Sequence, residues 1–197
     1  MAKTRAETRA ENREKLISAA RKAFLDKGFA DASMDDLTAE AGLTRGALYH
    51  NFGDKRGLLF AVVTRIDEEM AARAKEVSAK AGAEWDRLVA EGVAYIGMAL
   101  DPEVKRIVLL DGPAFLGDPS QWPSQNACLA ETRKSVEKLI DTGVMRAVDP
   151  DAAARLLTGA ALSAALWVAS QDAPDEALPK AIEVFSYMAE GLRAAPG

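Results

Sequence analysis

The chain has 197 residues, of which 49% are hydrophobic and 28% charged, so it is long enough for one or two folded domains and is not globally disordered. Aromatic residues make up only 6%, and the recurrence of Ala, Leu and Glu favours helices and argues against an all-β fold. Cys128 is the only cysteine, which rules out an intrachain disulfide and leaves a thiolate metal site without ligands. We therefore expect an all-α protein of a reducing compartment, with no metal or cofactor.

The formal net charge of -5 is unevenly distributed along the chain. Residues 1–65 hold 12 Lys and Arg against 9 Asp and Glu, a net charge of +3. Residues 66–197 hold 13 and 21, a net charge of -8. A mildly basic head followed by an acidic body indicates two parts with different functions, and only the head suits a nucleic-acid partner.

No segment of the sequence predicts export or insertion into a membrane. The first 15 residues lack the apolar stretch of a signal peptide, so we expect a cytoplasmic protein. The longest stretch without a charge, residues 156–171, is 16 residues long and is interrupted by polar side chains. A bilayer span needs about 20 apolar residues. This stretch is therefore predicted to be a buried helix, and no membrane partner is expected.

The chain begins with a predicted amphipathic helix over residues 12–27, which Gly28 is placed to end. Its apolar side chains share one face and are Leu16, Ile17, Ala20 and Phe24.

Two short helices are predicted next. Ser33 is a suitable N-cap for the first, which Gly42 stops after about two turns, and Thr44 is a suitable N-cap for the second, which runs to Phe52. The Ala-Gly-Leu-Thr segment at residues 41–44 joins them as in a helix-turn-helix, whose second helix enters the DNA major groove. The turn alone does not separate DNA binding from an ordinary pair of bundle helices.

The side chains of the second helix favour DNA binding. A helix face that is only solvated more often carries Glu and Lys. This helix instead reads RGALYHN. It offers a guanidinium, small residues that permit close approach to DNA, and polar side chains that can bond phosphates or base edges. The candidate contacts on this helix are Arg45, Gly46, Ala47, Tyr49, His50 and Asn51. A lone histidine with no nucleophile or acid at a motif spacing is not expected to be catalytic.

Residues 12–63, above all SMDDLTAEAGLTRGALYHNFGDKRGLLFAVV, resemble the DNA-binding domain of the TetR family of bacterial transcriptional regulators. The family's leucine-tyrosine pair, the aromatic residue after it and the lysine that starts the fourth helix are matched by Leu48, Tyr49, Phe52 and Lys55. The resemblance implies that Tyr49 and Lys55 hold phosphates. It also implies that Thr44 and Arg45, at the start of the recognition helix, read bases.

Two positions depart from the family pattern. The family often has histidine directly before the aromatic residue, where this sequence has Asn51, with His50 one position earlier. Thr38 stands where alanine is common. An asparagine amide can still bond a phosphate.

The rest of the chain is predicted to be helical, with no strand pattern. Breaks are expected at Gly82 and at three Xaa-Pro steps, because proline fits the first turn of a helix and disfavours the α conformation in the preceding residue. The predicted helices cover about residues 55–80, 84–99, 102–110, 124–142, 150–171 and 174–194.

The helix predicted from Pro150 is apolar nearly all round and must be covered on two sides. One side can be the fold's own core, and the other a second subunit, which Gly159, Ala160, Ser163 and Ala164 would allow to approach closely. The family forms its dimer with its last two helices, so the resemblance implies a homodimer through residues 150–194. A core helix without a partner is the alternative.

Residues 111–127, with three prolines and two glycines, are predicted to be irregular, and such segments are often functional. In the family this region borders a ligand cavity, and its movement alters the separation of the two DNA-binding heads. Since no paired charge marks an anionic ligand, we expect an uncharged or lipophilic inducer, although each lining residue could instead be plain core. The candidate lining residues are Trp85, Tyr95, Met98, Phe115, Trp122, Asn126 and Trp167.

We therefore predict a helix-turn-helix domain over residues 1–54 and a helical ligand-binding and dimerisation domain over residues 55–197. The expected function is a ligand-responsive repressor that binds a palindromic DNA operator as a homodimer and leaves it when an inducer binds. An alternative is a nucleoid-associated or interaction protein that uses the same head without an inducer. An enzyme is not expected, because the sequence shows no nucleophile elbow, metal-ligand spacing or phosphate-binding glycine loop.

Overall fold

The computed structural model describes residues 4–195, and their regular secondary structure is helical, as predicted. Within this range, strand-like pairing is confined to an isolated antiparallel bridge between Met145 and Arg193. The α-helices of the described residues are α1 (Arg5–Asp31), α2 (Met34–Glu40), α3 (Arg45–Phe52), α4 (Lys55–Ser78), α5 (Glu84–Gly97), α6 (Gly112–Leu116), α7 (Pro123–Asp141), α8 (Pro150–Ser170) and α9 (Pro174–Glu190).

The chain divides into two compact units. The first holds the residues up to Ile66 together with Pro102–Gly117, and the second holds Asp67–Asp101 and the residues from Asp118 onward. The division therefore falls inside α4, whereas the predicted boundary lay between residues 54 and 55. The first turns of α4 belong to the first unit because they carry fully buried leucines, and residues 102–117 join this unit because they pack against α1.

The predicted N-caps of the helix-turn-helix are present. The Ser33 hydroxyl accepts a hydrogen bond from the amide of Asp35 at 3.2 Å, and the Thr44 hydroxyl accepts one from the amide of Ala47 at 3.2 Å. The buried Thr38 hydroxyl donates to the carbonyl of Met34 at 3.0 Å, so the polar side chain is satisfied within its own helix where the family often has alanine.

Helix α1 begins earlier than the residue predicted. Thr4 and Glu7 form a capping box, in which the Glu7 amide donates to the Thr4 hydroxyl at 3.2 Å and the Thr4 amide donates to the Glu7 carboxylate at 2.7 Å. The Thr-Arg-Ala-Glu sequence carried this signal. At the other end, Gly28 has a φ of 80° and interrupts the helix before it ends at Asp31.

The prediction of a long irregular segment over residues 111–127 is wrong. A π-helical stretch over Val104–Asp111 runs directly into α6, and a 3-10 turn over Pro119–Gln121 precedes α7. Pro119 and Pro123 each lie in the first turn of a helix, where no amide hydrogen is lost from the hydrogen-bond ladder, and Pro113 lies where the π-helical stretch passes into α6. The prolines that suggested a loop therefore lie in helical segments, and two of them start one.

In the second unit, α8 packs against α5, α7 and α9. Among the described residues, α8 alone has the length and hydropathy of a membrane span, a test that core helices of bundles also pass. Its buried face confirms the predicted core helix. One core cluster of this unit comprises Trp85, Val136, Leu139, Met145, Ala153, Ala154, Leu157 and Ala189.

Candidate DNA-binding and ligand-binding sites

Helix α3 buries one side and exposes the other. Leu48 is fully buried, whereas Tyr49 keeps 53% of its surface exposed. Of the predicted DNA contacts, Thr44, Arg45, Gly46 and His50 are also exposed, and Ala47 is half-buried. The helix therefore presents a small, polar and cationic surface, as a recognition helix requires.

Arg45 is held by a carboxylate that sequence analysis did not single out. Its guanidinium forms a bidentate ion pair with Asp35 of α2, with Nη2 at 2.5 Å from Oδ2 and Nε bonded to Oδ1. The hydrogen bond from Arg45 lowers the pKa of the Asp35 carboxyl, although both side chains are exposed. Asp35 thus orients the guanidinium and partly neutralises it, and the arginine has to exchange or share this partner to bind a base.

Asn51 differs from the other predicted DNA contacts because its side-chain amide forms a hydrogen bond within α3. Its Nδ2 donates to the carbonyl of Ala47 at 2.8 Å. Its Oδ1 is buried and has no hydrogen-bond partner among the described residues. In this arrangement Asn51 does not present its amide on the exposed face of α3, because the polar group bonds back to the preceding turn.

Lys55 begins α4, as predicted, and folds back onto the end of α1. Its ammonium donates to the carbonyl of Ala30 at 3.1 Å and lies 4.6 Å from the centre of the Phe29 ring. Partial burial lowers the pKa of Lys55. The carboxylate of the preceding residue, Asp54, accepts a hydrogen bond from the amide of Gly57 at 2.7 Å. Lys55 is therefore oriented by carbonyl and ring contacts.

The second unit contains an apolar cavity with an empty volume of about 680 Å³, including its opening to solvent. Apolar side chains from α4, α5, α8 and α9 form most of its wall, and α5, α7 and α8 add polar groups. The polar residues of the wall are Glu91, Tyr95, Gln125, Cys128, Thr132 and Thr158.

Of the seven predicted ligand contacts, Tyr95 alone is among the residues that line this cavity. Trp85, Met98 and Trp122 are 3%, 6% and 5% exposed and belong to the packed interior. The indole nitrogen of Trp122 is buried without a hydrogen-bond partner among the described residues. These large apolar side chains fill the interior, which was the alternative role considered for each of them.

The other three predicted ligand contacts lie elsewhere. Asn126 lines a separate recess in the second unit, and Trp167 lines a groove between α8 and α9. Phe115 belongs to the first unit, where its ring centre lies 4.5 Å from that of Phe29. The predicted set therefore does not form one site, because aromatic content alone does not reveal which face of a helix points inward.

A cluster of buried polar side chains, which the sequence analysis did not predict, reaches the cavity wall through Tyr95 and Gln125. Asp67 is 4% exposed and accepts hydrogen bonds from the Ser124 hydroxyl at 2.6 Å and from the Gln125 side-chain amide at 3.2 Å. The same amide lies 3.3 Å from the Tyr95 hydroxyl. Burial raises the pKa of the Asp67 carboxyl. The signal in the sequence was an acid next to Ile66 within an apolar stripe.

The outer sides of α8 and α9 carry large exposed apolar residues. Their fractional exposure is 73% for Leu156, 57% for Val184 and 70% for Tyr187, and Trp167 and Met188 are also exposed. The groove between the two helices has an empty volume of about 820 Å³ and includes Ala160, Ser163 and Ala164 in its wall. We call these two helix faces the α8–α9 surface. Apolar patches of this kind mark interaction sites.

Two family models match the chain. Residues 16–62 match the model of bacterial regulatory proteins of the tetR family, and residues 85–192 match the tetracyclin repressor-like C-terminal domain. The HTH-type transcriptional repressor AcnR of Corynebacterium glutamicum is 30% identical over 138 residues, which cover 68% of this chain and 69% of that protein.

Solved structures share the architecture. A TetR-family transcriptional regulator from Pectobacterium atrosepticum superposes with a TM-score of 0.89 and 44% identity, covering 99% of this chain and 100% of that one. The structure of RolR in complex with resorcinol has a TM-score of 0.70 at 19% identity, covering 98% of this chain and 97% of that one, and shows likeness of fold.

Proposed function

Since the chain belongs to the TetR family and is a DNA-binding regulator of transcription, not an enzyme, we propose that it represses transcription from a palindromic operator. It binds this operator as a homodimer and leaves it when a small molecule occupies the cavity of the second unit. It acts in the cytoplasm. The observation that carries the proposal is the capped, polar and exposed face of α3.

The proposed division of labour on DNA follows from what each side chain presents. Thr44 and Arg45 stand at the start of α3, the end of a recognition helix that reaches base edges. Tyr49, His50 and Lys55 are proposed to contact phosphates, and Gly46 and Ala47 to permit close approach to the groove. Asn51 is left out of the proposed contacts because its amide is bonded to Ala47.

The homodimer is proposed to form through the α8–α9 surface. An isologous dimer places the same patch of both subunits in contact, so the exposed apolar side chains would cover each other. Entry into successive major grooves requires recognition helices about 34 to 36 Å apart, one turn of DNA. Sedimentation at micromolar concentration tests the dimer, and a monomer would contradict it.

DNA binding and release test the regulatory function. Affinity for a short palindrome from the promoter region near its own gene is expected to fall with salt and to be lost on adding the inducer. A nucleoid-associated protein would instead bind unrelated sequences equally well and ignore small molecules. The neighbouring genes supply both the palindromes and the candidate inducers to be tried.

Arg45→Ala is expected to weaken operator binding about tenfold to a hundredfold and to relax the base preference at one position of each half-site. The reason is the loss of a bidentate contact to guanine O6 and N7. Binding to a series of singly substituted operators measures both effects. Asp35→Ala is the matched control, since it removes the ion pair and keeps the guanidinium. An equal loss of affinity for every operator would reduce Arg45 to a phosphate contact.

Lys55→Ala is expected to flatten the slope of log K against log salt by about 1.8 units, since the dimer loses two phosphate contacts at roughly 0.9 each. Base preference should stay nearly unchanged. Because the ammonium also bonds the Ala30 carbonyl, thermal unfolding of the variant is measured alongside. Lys80→Ala removes an exposed lysine in the turn that follows α4 and should leave the slope unchanged. If Lys55→Ala also leaves the salt slope unchanged, Lys55 does not contact a phosphate and serves only to hold the end of α1.

A further inference from the structure

The cavity of the second unit has an unbalanced set of charges. Glu91 is the one charged residue in its described wall, and no Lys, Arg or His lines it. Among the described residues, no cation lies within ion-pair distance of the Glu91 carboxylate. Lys75, whose charge reaches it from a distance, is already 3.7 Å from Glu131. A half-buried carboxylate thus lines a largely apolar space without an ion-pair partner.

The neutral polar groups of the wall mostly offer acceptors. The Thr132 and Thr158 hydroxyls donate to the carbonyls of Cys128 at 3.1 Å and Ala154 at 2.9 Å, so their oxygens keep only acceptor capacity. The Gln125 amide nitrogen is directed to Asp67 and Tyr95, which leaves its carbonyl oxygen as acceptor. A ligand that donates hydrogen bonds therefore matches this wall better than one that accepts them.

The pKa values of three groups in the cavity wall are raised, mainly by burial and in part by nearby negative charges. Burial raises the pKa of the Glu91 carboxyl and of the Cys128 thiol, and the negative charges of Asp67 and Glu91 raise the Cys128 pKa further. Burial and the charge of Asp67 also raise the pKa of Tyr95. Burial disfavours charge of either sign, so only the smaller effects of Asp67 and Glu91 on the Cys128 and Tyr95 pKa values reflect negative charge beside the cavity.

We propose that the cavity takes an amphiphilic cation, an amine with an apolar body, whose ammonium pairs with Glu91. The apolar wall covers the body, and the cation supplies the ion-pair partner that the carboxylate lacks. This inference rests on the proposed role of the cavity as the inducer site, and it replaces the expected uncharged inducer with a lipophilic one that carries a positive head. Carboxylates and phosphates are excluded by the same charge.

Three probes with one body and different heads test the charge preference: phenylbutylamine, phenylbutanol and phenylbutyrate. Calorimetric titration of the full chain should give the highest affinity for the amine and the lowest for the carboxylate. Glu91→Gln, which keeps size and shape, should weaken the amine about tenfold to a hundredfold, the range of a hydrogen bond to a charged group. The affinity for the alcohol should stay within about twofold. Glu76→Gln makes the same change of charge at an exposed site of α4 and should alter neither the affinity for the amine nor that for the alcohol.

Two outcomes would overturn the inference: wild-type binding of the amine weaker than about 1 mM, or equal loss of amine and alcohol affinity in Glu91→Gln. Operator release is measured separately with the same probes. If the amine binds through Glu91 and the operator complex persists, the ligand class stands and the inducer role of the cavity fails. If the amine releases the operator from wild type and from Glu91→Gln at equal concentrations, the role of Glu91 fails and the regulatory function stands.

Discussion

Replacing Gly57 by alanine is expected to destabilise the protein by about 2 to 3 kcal/mol and to abolish tight operator binding. A Cβ at this position would overlap the carbonyl oxygen of Phe52 and lie 3.1 Å from its carbonyl carbon. Both are backbone atoms, so no side-chain rotation relieves the clash, and the end of α3 has to move away from the start of α4. The same shift would disturb the hydrogen bond from the Gly57 amide to Asp54.

Alanine is favoured over glycine in a helix by about 1 kcal/mol, so the steric cost has to exceed this gain. Gly97→Ala is the matched control, because a Cβ there meets no atom within 4 Å. It should leave the protein as stable as the wild type or slightly more stable. Chemical denaturation of the two variants compares the effects, and a Gly57→Ala variant as stable as wild type would contradict the close approach of α3 and α4.

Val184→Glu is expected to convert the dimer to monomers and to weaken operator binding by at least about a hundredfold. Val184 is 57% exposed and lines the groove of the α8–α9 surface. An isologous interface would bury two copies of the new carboxylate without a partner, and an uncompensated buried charge costs about 3 to 5 kcal/mol. A single helix-turn-helix then binds only a half-site, which is weak.

Val77→Glu is the matched control, since it makes the same change at a valine of α4 with 49% exposure, outside the α8–α9 surface. This variant should remain dimeric and keep its affinity for the operator. Sedimentation velocity gives the oligomeric state and a DNA titration gives the affinity. If Val184→Glu sediments as a dimer, the subunits associate through a different surface.

The sequence by itself determined the helical class and the helix-turn-helix, because these depend on local signals. Ser33 and Thr44 cap the helices they were expected to cap, since a capping hydroxyl bonds an amide two or three residues along the same chain. The TetR family was identifiable for the same reason, as its motif lies within one continuous segment. The early start of α1 also depends on a local signal, the capping box formed by Thr4 and Glu7.

Only the tertiary structure decided which residues line the cavity, how Arg45 and Lys55 are held, and where the units divide. Glu91 and Gln125 share a cavity wall through the packing of α5 and α7, and Asp35 meets Arg45 across the turn between two helices. Such neighbours depend on which faces of different helices pack together. Sequence periodicity shows that an apolar residue lies on the buried side of a helix, but it does not show whether that side fills the core or borders a cavity. Trp85 and Trp122, which were expected to line a cavity, fill the core.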